Sequence, residues 1–293
     1  MQRSFLCDLD RPLFMQQGIV NPADDQRLNT PSSQPASNKH LPSYELPAVT
    51  VVGQAPSSLG EEERVGSYQQ PRWTTDRRFS ETHVYVRPEG AVEFEYWFIP
   101  TVNRKGASEI KQQFELELGL PHRFQVDFYL IPIREGSDSH TFINNSVEVR
   151  YALADWGKIW GNPTLYLEYT FGDNSPDAIE GKLLLGDELA PRWHWGANLV
   201  WEHDTAEDMA NSYEFNTGVS YTVIDEKLSI GAEEKAAFIE VHHHRGHLTV
   251  NLFLGPSMQI RPMPQVHIDI APLVGLTHES PALQAFFVVG YDW

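Results

Sequence analysis

From Ala91 to the C-terminus, apolar and polar residues alternate at every second position in one segment after another. In residues 91–100, Val92, Phe94, Tyr96 and Phe98 share one parity, while Glu93, Glu95 and Trp97 share the other. In 110–120, Phe114, Leu116, Leu118 and Leu120 alternate with Glu115, Glu117 and Gly119; in 124–133, Phe124, Val126, Phe128 and Leu130 alternate with Gln125, Asp127 and Tyr129. A helix needs apolar spacings of three and four, which these windows lack, so the pattern predicts strands with one apolar and one polar face. It continues over 146–153, 164–171, 178–185, 193–202, 213–223, 228–238, 248–260, 266–276 and 283–293, twelve strands in all. Residues 80–86 are a further β-prone stretch, set apart by Pro88-Glu89-Gly90 and left outside the count. Glu234 interrupts the alternation of the ninth strand and predicts a bulge or a rim position there.

The connections also alternate. Residues 121–123, 224–227 and 261–264 are tight, whereas 134–145, 203–212 and 241–247 are longer and more polar; 155–162 is long for the short side. Short turns on one rim and long loops on the other suit consecutive antiparallel strands crossing a bilayer. Composition does not oppose this. Mean hydropathy is −0.38 and no uninterrupted apolar run approaches 18 residues, which excludes membrane-spanning helices. Strands hide their apolar surface in every second residue and escape that test.

A soluble two-sheet sandwich would alternate as well, but its outer face should mix both charge signs. Here the polar face is mostly acidic, with Gly, Ser and Asn between. The apolar face carries Trp193, Trp195, Trp201, Tyr151, Tyr169, Tyr213, Tyr221 and Tyr291, many near strand ends, where amphipathic rings suit a membrane interface. Closure removes the strand edges that lipid could not satisfy. The expected fold is all-β: a 12-stranded antiparallel up-and-down transmembrane β-barrel over residues 79–293.

Residues 1–78 read differently. The stretch 21–43 is rich in Pro, Ser, Asn, Asp and Gln and cannot bury enough surface to offset its ordering entropy. A disordered, periplasmic N-terminal extension is expected there, broken by the β-prone island Leu46-Pro47-Ala48-Val49-Thr50-Val51-Val52-Gly53 and the acidic run Glu61-Glu62-Glu63. Asp8 interrupts the few apolar residues after Arg3, too early for the hydrophobic part of a signal peptide. A removed signal, a misassigned start and an unexported chain all remain open. One Cys excludes a disulfide framework and Cys-based zinc. With 22 Lys+Arg against 40 Asp+Glu, the net charge of −18 argues against a nucleic-acid partner.

The last strand ends on Trp293, with Tyr291, Val289, Phe287 and Ala285 on the same parity. This resembles the C-terminal assembly signal of bacterial outer-membrane proteins, which implies the barrel-assembly machinery and outer-membrane lipid as partners and the outer membrane as location. Residues 114–126 (strand, short turn, strand), 149–159 followed by Asn162-Pro163-Thr164-Leu165-Tyr166, and 190–198 resemble a broad family of outer-membrane barrels labelled as phenol-degradation-pathway (MetA-type) proteins or transporters. The resemblance covers about 91–293 and implies architecture more than substrate. Val49-Thr50-Val51-Val52-Gly53 is similar to the start of TonB-dependent receptors, implying a periplasmic partner for the N-terminal segment, although the chain is far too short for their 22 strands.

Placed on the inner face of a barrel, the polar parity lines the lumen with Glu93, Glu95, Glu115, Glu117, Asp127, Glu148, Glu168, Glu180, Glu202, Glu214, Glu233 and Asp269, against Arg150, Lys182 and Lys235. Rings of carboxylates favour cations. The expected function is a porin-like channel or transport component for small cationic or neutral solutes through a narrow acidic lumen. The alternative is a non-conducting structural or partner-binding barrel, in which the carboxylates pair across a closed interior. His242, His243, His244 and His247 are the candidate metal ligands, but with only Glu240 beside them a solvated tract is the default, and no metal or cofactor is assigned. Serine and histidine do not project together from outward positions and no Gly-x-Ser-x-Gly elbow exists, so no enzyme is expected.

Overall fold

The computed structural model describes residues 59–136, 141–173 and 175–293. The expectations for residues 1–58, including the island at 46–53, lie outside the described residues.

Twelve strands form one closed sheet: β1 (Val92–Val102), β2 (Glu109–Leu120), β3 (Phe124–Glu135), β4 (Phe142–Ala152), β5 (Thr164–Phe171), β6 (Ala178–Ala190), β7 (Trp193–Asp204), β8 (Asn211–Ile224), β9 (Leu228–Glu240), β10 (Thr249–Met263), β11 (Val266–Gly275) and β12 (Leu283–Asp292). Each pairs antiparallel with its neighbours in sequence, and β12 returns to β1, with Leu283 opposite Val102 and Asp292 opposite Glu93. The Trp293 N–H extends that seam by donating to Val92 O at 3.0 Å. All twelve strands fall where alternation put them. Several run further toward the long-loop rim, as β4 does from Phe142, because the ladder is made by main chain and continues through polar residues such as Asn144 and Asn145 that blur the side-chain pattern.

The ninth strand corrects one expectation. Glu234 lies opposite Thr217 and Leu254 in unbroken register, and the irregularity in that strand pair sits at Thr222/Ile224, beside the short turn. A single polar side chain on the outer parity leaves main-chain pairing intact, so no bulge forms.

Side-chain polarity is inverted relative to a water-soluble protein. Phe94, Leu116, Phe128, Leu167, Leu199, Leu254 and Val289 are exposed on the outside, as are Trp193, Trp201, Tyr169, Tyr213 and Tyr291. Glu93, Glu95, Glu115, Glu117, Asp127 and Glu148 are buried within. A closed wall whose main chain pairs strand to strand around the ring, with its apolar parity outward, is what a bilayer core tolerates.

The larger correction concerns residues 59–78, expected to belong to the loose extension. They fold into the lumen together with 79–91, entering at the short-turn rim. A two-residue strand pair (Arg64–Val65 with Gln70–Pro71) and two single helical turns (Gly60–Glu62 and Arg72–Thr74) organise the entry. Gln70, Trp73, Phe79, Thr82 and Val86 are buried. Residues 80–86 are not a strand. They form the returning limb of this plug.

Candidate functional site

The short-turn half of the lumen is built around three buried arginines. Arg77, at the tip of the plug, donates through Nε to both oxygens of Glu95 at 3.0 and 2.9 Å, and its Nη2 stands 3.4 Å from Glu115 and 3.2 Å from Glu117. Its guanidinium also lies 4.3 Å from the Trp97 ring centroid. Arg87, on the return limb, pairs with Glu93 and Asp292 and reaches Glu117 at 3.4 Å. Arg150, on β4, pairs with Glu148 and stands 3.2 Å from Asp127. Two further pairs pin the entry: Arg78 to Glu61 at 2.7 Å, and Arg261 to Asp76 at 2.6 Å. Charges buried at this depth persist only when paired, because desolvation costs several kcal/mol per ion.

The barrel also answers the plug's main chain, which has no ladder of its own beyond the short pair that ends at Pro71. Glu233 accepts the N–H groups of Ser80 and Glu81, each at 3.0 Å. Asn198 accepts from His83 N–H at 2.9 Å and donates to His83 O at 2.7 Å. Gln125 accepts from Arg87 N–H at 2.7 Å, and Gln259 donates to Arg77 O. Shape matches as well. A Cβ on Gly218 would stand 2.4 Å from Phe79, and one on Gly186 2.2 Å from Val84, so these inward positions are hollows cut for plug side chains.

Above the tip, toward the long loops, a vestibule of about 330 Å³ remains. Its floor is Arg77, Ser80, Glu81 and His83; its wall includes Glu168, Glu180, Lys182, Glu202, Glu214, Lys235 and Lys111, with Trp97, Ile99 and Phe286 as an apolar strip. Lys182 pairs with Glu180 at 2.7 Å, and Lys235 with Glu81 at 3.0 Å and Glu214 at 3.3 Å. Burial and the nearby Arg150, Arg77 and Lys182 cations push the His83 imidazole well below its ordinary pKa, so it faces the vestibule neutral.

The carboxylates singled out from sequence thus divide. Glu93, Glu95, Glu115, Glu117, Asp127 and Glu148 belong to the plugged half, with Arg150. Glu233 holds the plug's main chain, and Asp269 accepts from His267 Nδ1 at 2.5 Å or donates to it. Glu168, Glu180, Lys182, Glu202, Glu214 and Lys235 line the vestibule. Sequence reasoning missed Arg77, Arg87, Arg78 and His83. The signal was present: cations clustered in an acidic chain, and glycines at inward strand positions.

Among the described residues, three groups of donors lie close enough to hold a metal: Glu93/Glu95/His267, Glu95/Glu115/Glu117 and Glu115/Asp127/Glu148. In each, Arg77, Arg87 or Arg150 already supplies the positive charge, so the sets fit guanidinium. The His242–His244 segment is a single exposed turn, and Glu240, the carboxylate expected beside it, is bound by Arg245 at 3.1 Å. At the C-terminus, Phe287, Val289, Tyr291 and Trp293 are exposed on the outer face, and the Tyr291 and Trp293 rings stand 5.0 Å apart.

No family model matches the chain, and no curated protein is similar to it in sequence. Among solved structures, an outer membrane channel from Pseudomonas putida F1 matches with a TM-score of 0.51 at 10% identity, covering 74% of this chain and 100% of its own. The NanC porin matches at 0.49 and 10% identity, over 68% of this chain and 97% of its own. The KdgM porin, in complex with disordered oligogalacturonate, matches at 0.46 and 7%, over 69% and 98%. The fold is that of outer-membrane β-barrels. The similarity to a phenol-degradation-type family has no family match beside it.

Proposed function

We propose that this protein is a channel of the bacterial outer membrane whose lumen is closed at the short-turn end by its own residues 59–91. The observation that carries this reading is Arg77 seated among Glu95, Glu115 and Glu117, which makes the acidic ring a receptor for an internal cation. The vestibule remains open to small solutes. Five carboxylates (Glu81, Glu168, Glu180, Glu202 and Glu214) face four cations there (Arg77, Lys111, Lys182 and Lys235), which favours small neutral or weakly cationic solutes over strongly cationic ones. The barrel-assembly machinery would read the aromatic C-terminal strand, and the segment before residue 59 would bind a periplasmic partner.

A cross-link tests the plug. A Cβ on Gly218 would stand 2.9 Å from Phe79 Cγ, so Phe79→Cys with Gly218→Cys, in a Cys7→Ser background, places two sulfurs within bonding reach. In planar bilayers the oxidised protein should be silent and the reduced one should show small conductance steps. Equal conductance in both states would overturn the plugged-channel reading. Silence in both would favour the second reading, a non-conducting barrel that binds partners through its loops. The tightly filled short-turn half is the observation in its favour.

A further inference from the structure

Among the described residues the ladder breaks at a single proline in two seams, at Pro100 in β1 and at Pro132 in β3, and in a third, between β10 and β11, two prolines face each other. Between β10 and β11, Leu254 pairs with Val274 and Met258 with Ile270, but no pairing links the residues between. Those two pairs share one register, which places Pro256 directly opposite Pro272. The Leu276 N–H donates to Leu252 O at 2.7 Å, which identifies the even-numbered β10 positions as the hydrogen-bonded pairs of this ladder. Pro256 and Pro272 therefore occupy a site that should exchange two N–H···O bonds, and neither has an N–H. Their other neighbours, Ala232 and Ala285, pair normally. Proline in a strand interior is rare, and here both missing donors are aimed at each other.

What flanks the seam is apolar on both sides. Outside, a groove of about 740 Å³ lies over the two prolines, lined by Trp193, Tyr221, Ile230, Met258 and Ile270. Inside, the row runs from Ser257 and Ala271 to Phe286 and Ile99, the latter two forming part of the vestibule's apolar strip. Phe253 and Leu273 complete that inner cluster. Beside the prolines the inner parity carries no side chain at Gly255, where a Cβ would stand 2.0 Å from Pro272 O. In hydrocarbon the two proline carbonyls have no N–H directly opposite and no water to replace it, which weakens closure here more than at the single prolines of the other seams.

We propose that the β10–β11 seam is a lateral portal through which small, uncharged, apolar solutes pass between the vestibule and the hydrocarbon layer of the membrane. This rests on the reading of the protein as an outer-membrane channel and adds a second exit, one that bypasses the plug. The solute meets Trp97, Ile99 and Phe286 in the vestibule, crosses beside Ala271 and Ser257, and emerges in the outer groove.

The test uses the full chain in cells with an intact outer membrane and N-phenyl-1-naphthylamine, an uncharged dye that fluoresces on entering hydrocarbon. Pro256→Val with Pro272→Val restores both donors. Ser257→Cys with Ala271→Cys, in the Cys7→Ser background, faces two thiols across a non-hydrogen-bonded pair, where Cβ atoms approach to about 4.5–5.5 Å. Dye entry should fall roughly tenfold or more with the restored ladder, as two added backbone hydrogen bonds suppress opening. It should fall similarly on oxidation of the cysteine pair and recover on reduction. Unchanged entry in both variants would overturn the portal and leave the groove as a resting place for lipid chains. Bilayer conductance of the same preparations separates the two readings. Conductance without barrel-dependent dye entry removes the portal alone, whereas the absence of both removes the channel as well.

Discussion

Replacing Arg77 with Met would strike the plug at its most heavily charged contact. The guanidinium is 3% exposed and is shared among Glu95, Glu115 and Glu117, themselves at most 4% exposed. Methionine fills similar volume but leaves three carboxylates facing a dry interior. Removing one partner of a buried ion pair costs about 3–5 kcal/mol. The barrel need not unfold to relieve this, because withdrawal of residues 59–91 lets water reach the carboxylates. The cost should therefore appear in the docking equilibrium, as an increase of roughly 100- to 4000-fold in the undocked fraction. Trypsin can still cut after Arg72 and Arg78 once they leave the lumen. The expected result is rapid cleavage within 59–90, frequent bilayer conductance, and heat-modifiable gel migration like that of the parent. Arg77→Lys keeps a charge but loses the forked geometry, and should fall between. Wild-type protease resistance and a wild-type conductance record in Arg77→Met, with the barrel folded, would refute the argument that the acidic ring exists to hold this residue.

Other expectations follow from the same geometry. His83 is faced by Arg77, with Nη1 at 3.2 Å from Nδ1, by Arg150 and Lys182, and by the Tyr166 ring at 5.9 Å; its docked pKa is depressed. A depressed histidine contributes stability that is complete above its free value near 6.5 and is lost as pH falls below it, so acidification from about pH 7.5 to 5 should raise tryptic cleavage of the plug, and His83→Gln should flatten that part of the profile. In Gly186→Val the new Cβ would lie 2.2 Å from Val84 Cγ1, an overpacking that costs about 1–3 kcal/mol and should increase plug cleavage without altering heat-modifiability. Removing Trp293 deletes the N–H bond to Val92 O and the ring packed edge-on against Tyr291, and should lower the yield of folded barrel in outer-membrane fractions while unfolded chain accumulates.

Legibility from sequence tracked the range of the interaction. Strand β5 was readable to the residue, because Thr164–Phe171 alternates throughout and its pairing is local. The inner parity was equally plain: once Glu115 faces inward, Glu117 and Gly119 must, since the strand period is two. The plug was not readable that way. Residues 59–91 have no period, and the contacts that seat them in the barrel are mostly non-local: Arg87 meets Asp292 across 205 positions, and Glu233 meets Ser80 across 153. The proline pair behaves likewise. Pro256 and Pro272 are visible in any reading of the chain, but only strand register makes them opposite and shows that their missing donors coincide.

Alternation alone determined that this chain closes into a barrel, which side of each strand is wet, and that the negative charge belongs inside. Those are one-dimensional consequences of a two-residue period and of lipid's intolerance for unpaired main chain. Whether that charge lines an open pore was decided by tertiary structure, because it depends on where the arginines of an aperiodic segment come to rest. They rest on the carboxylates. The interior read as a cation path is, over its short-turn half, a set of buried ion pairs, and the space left to solutes is the vestibule above it.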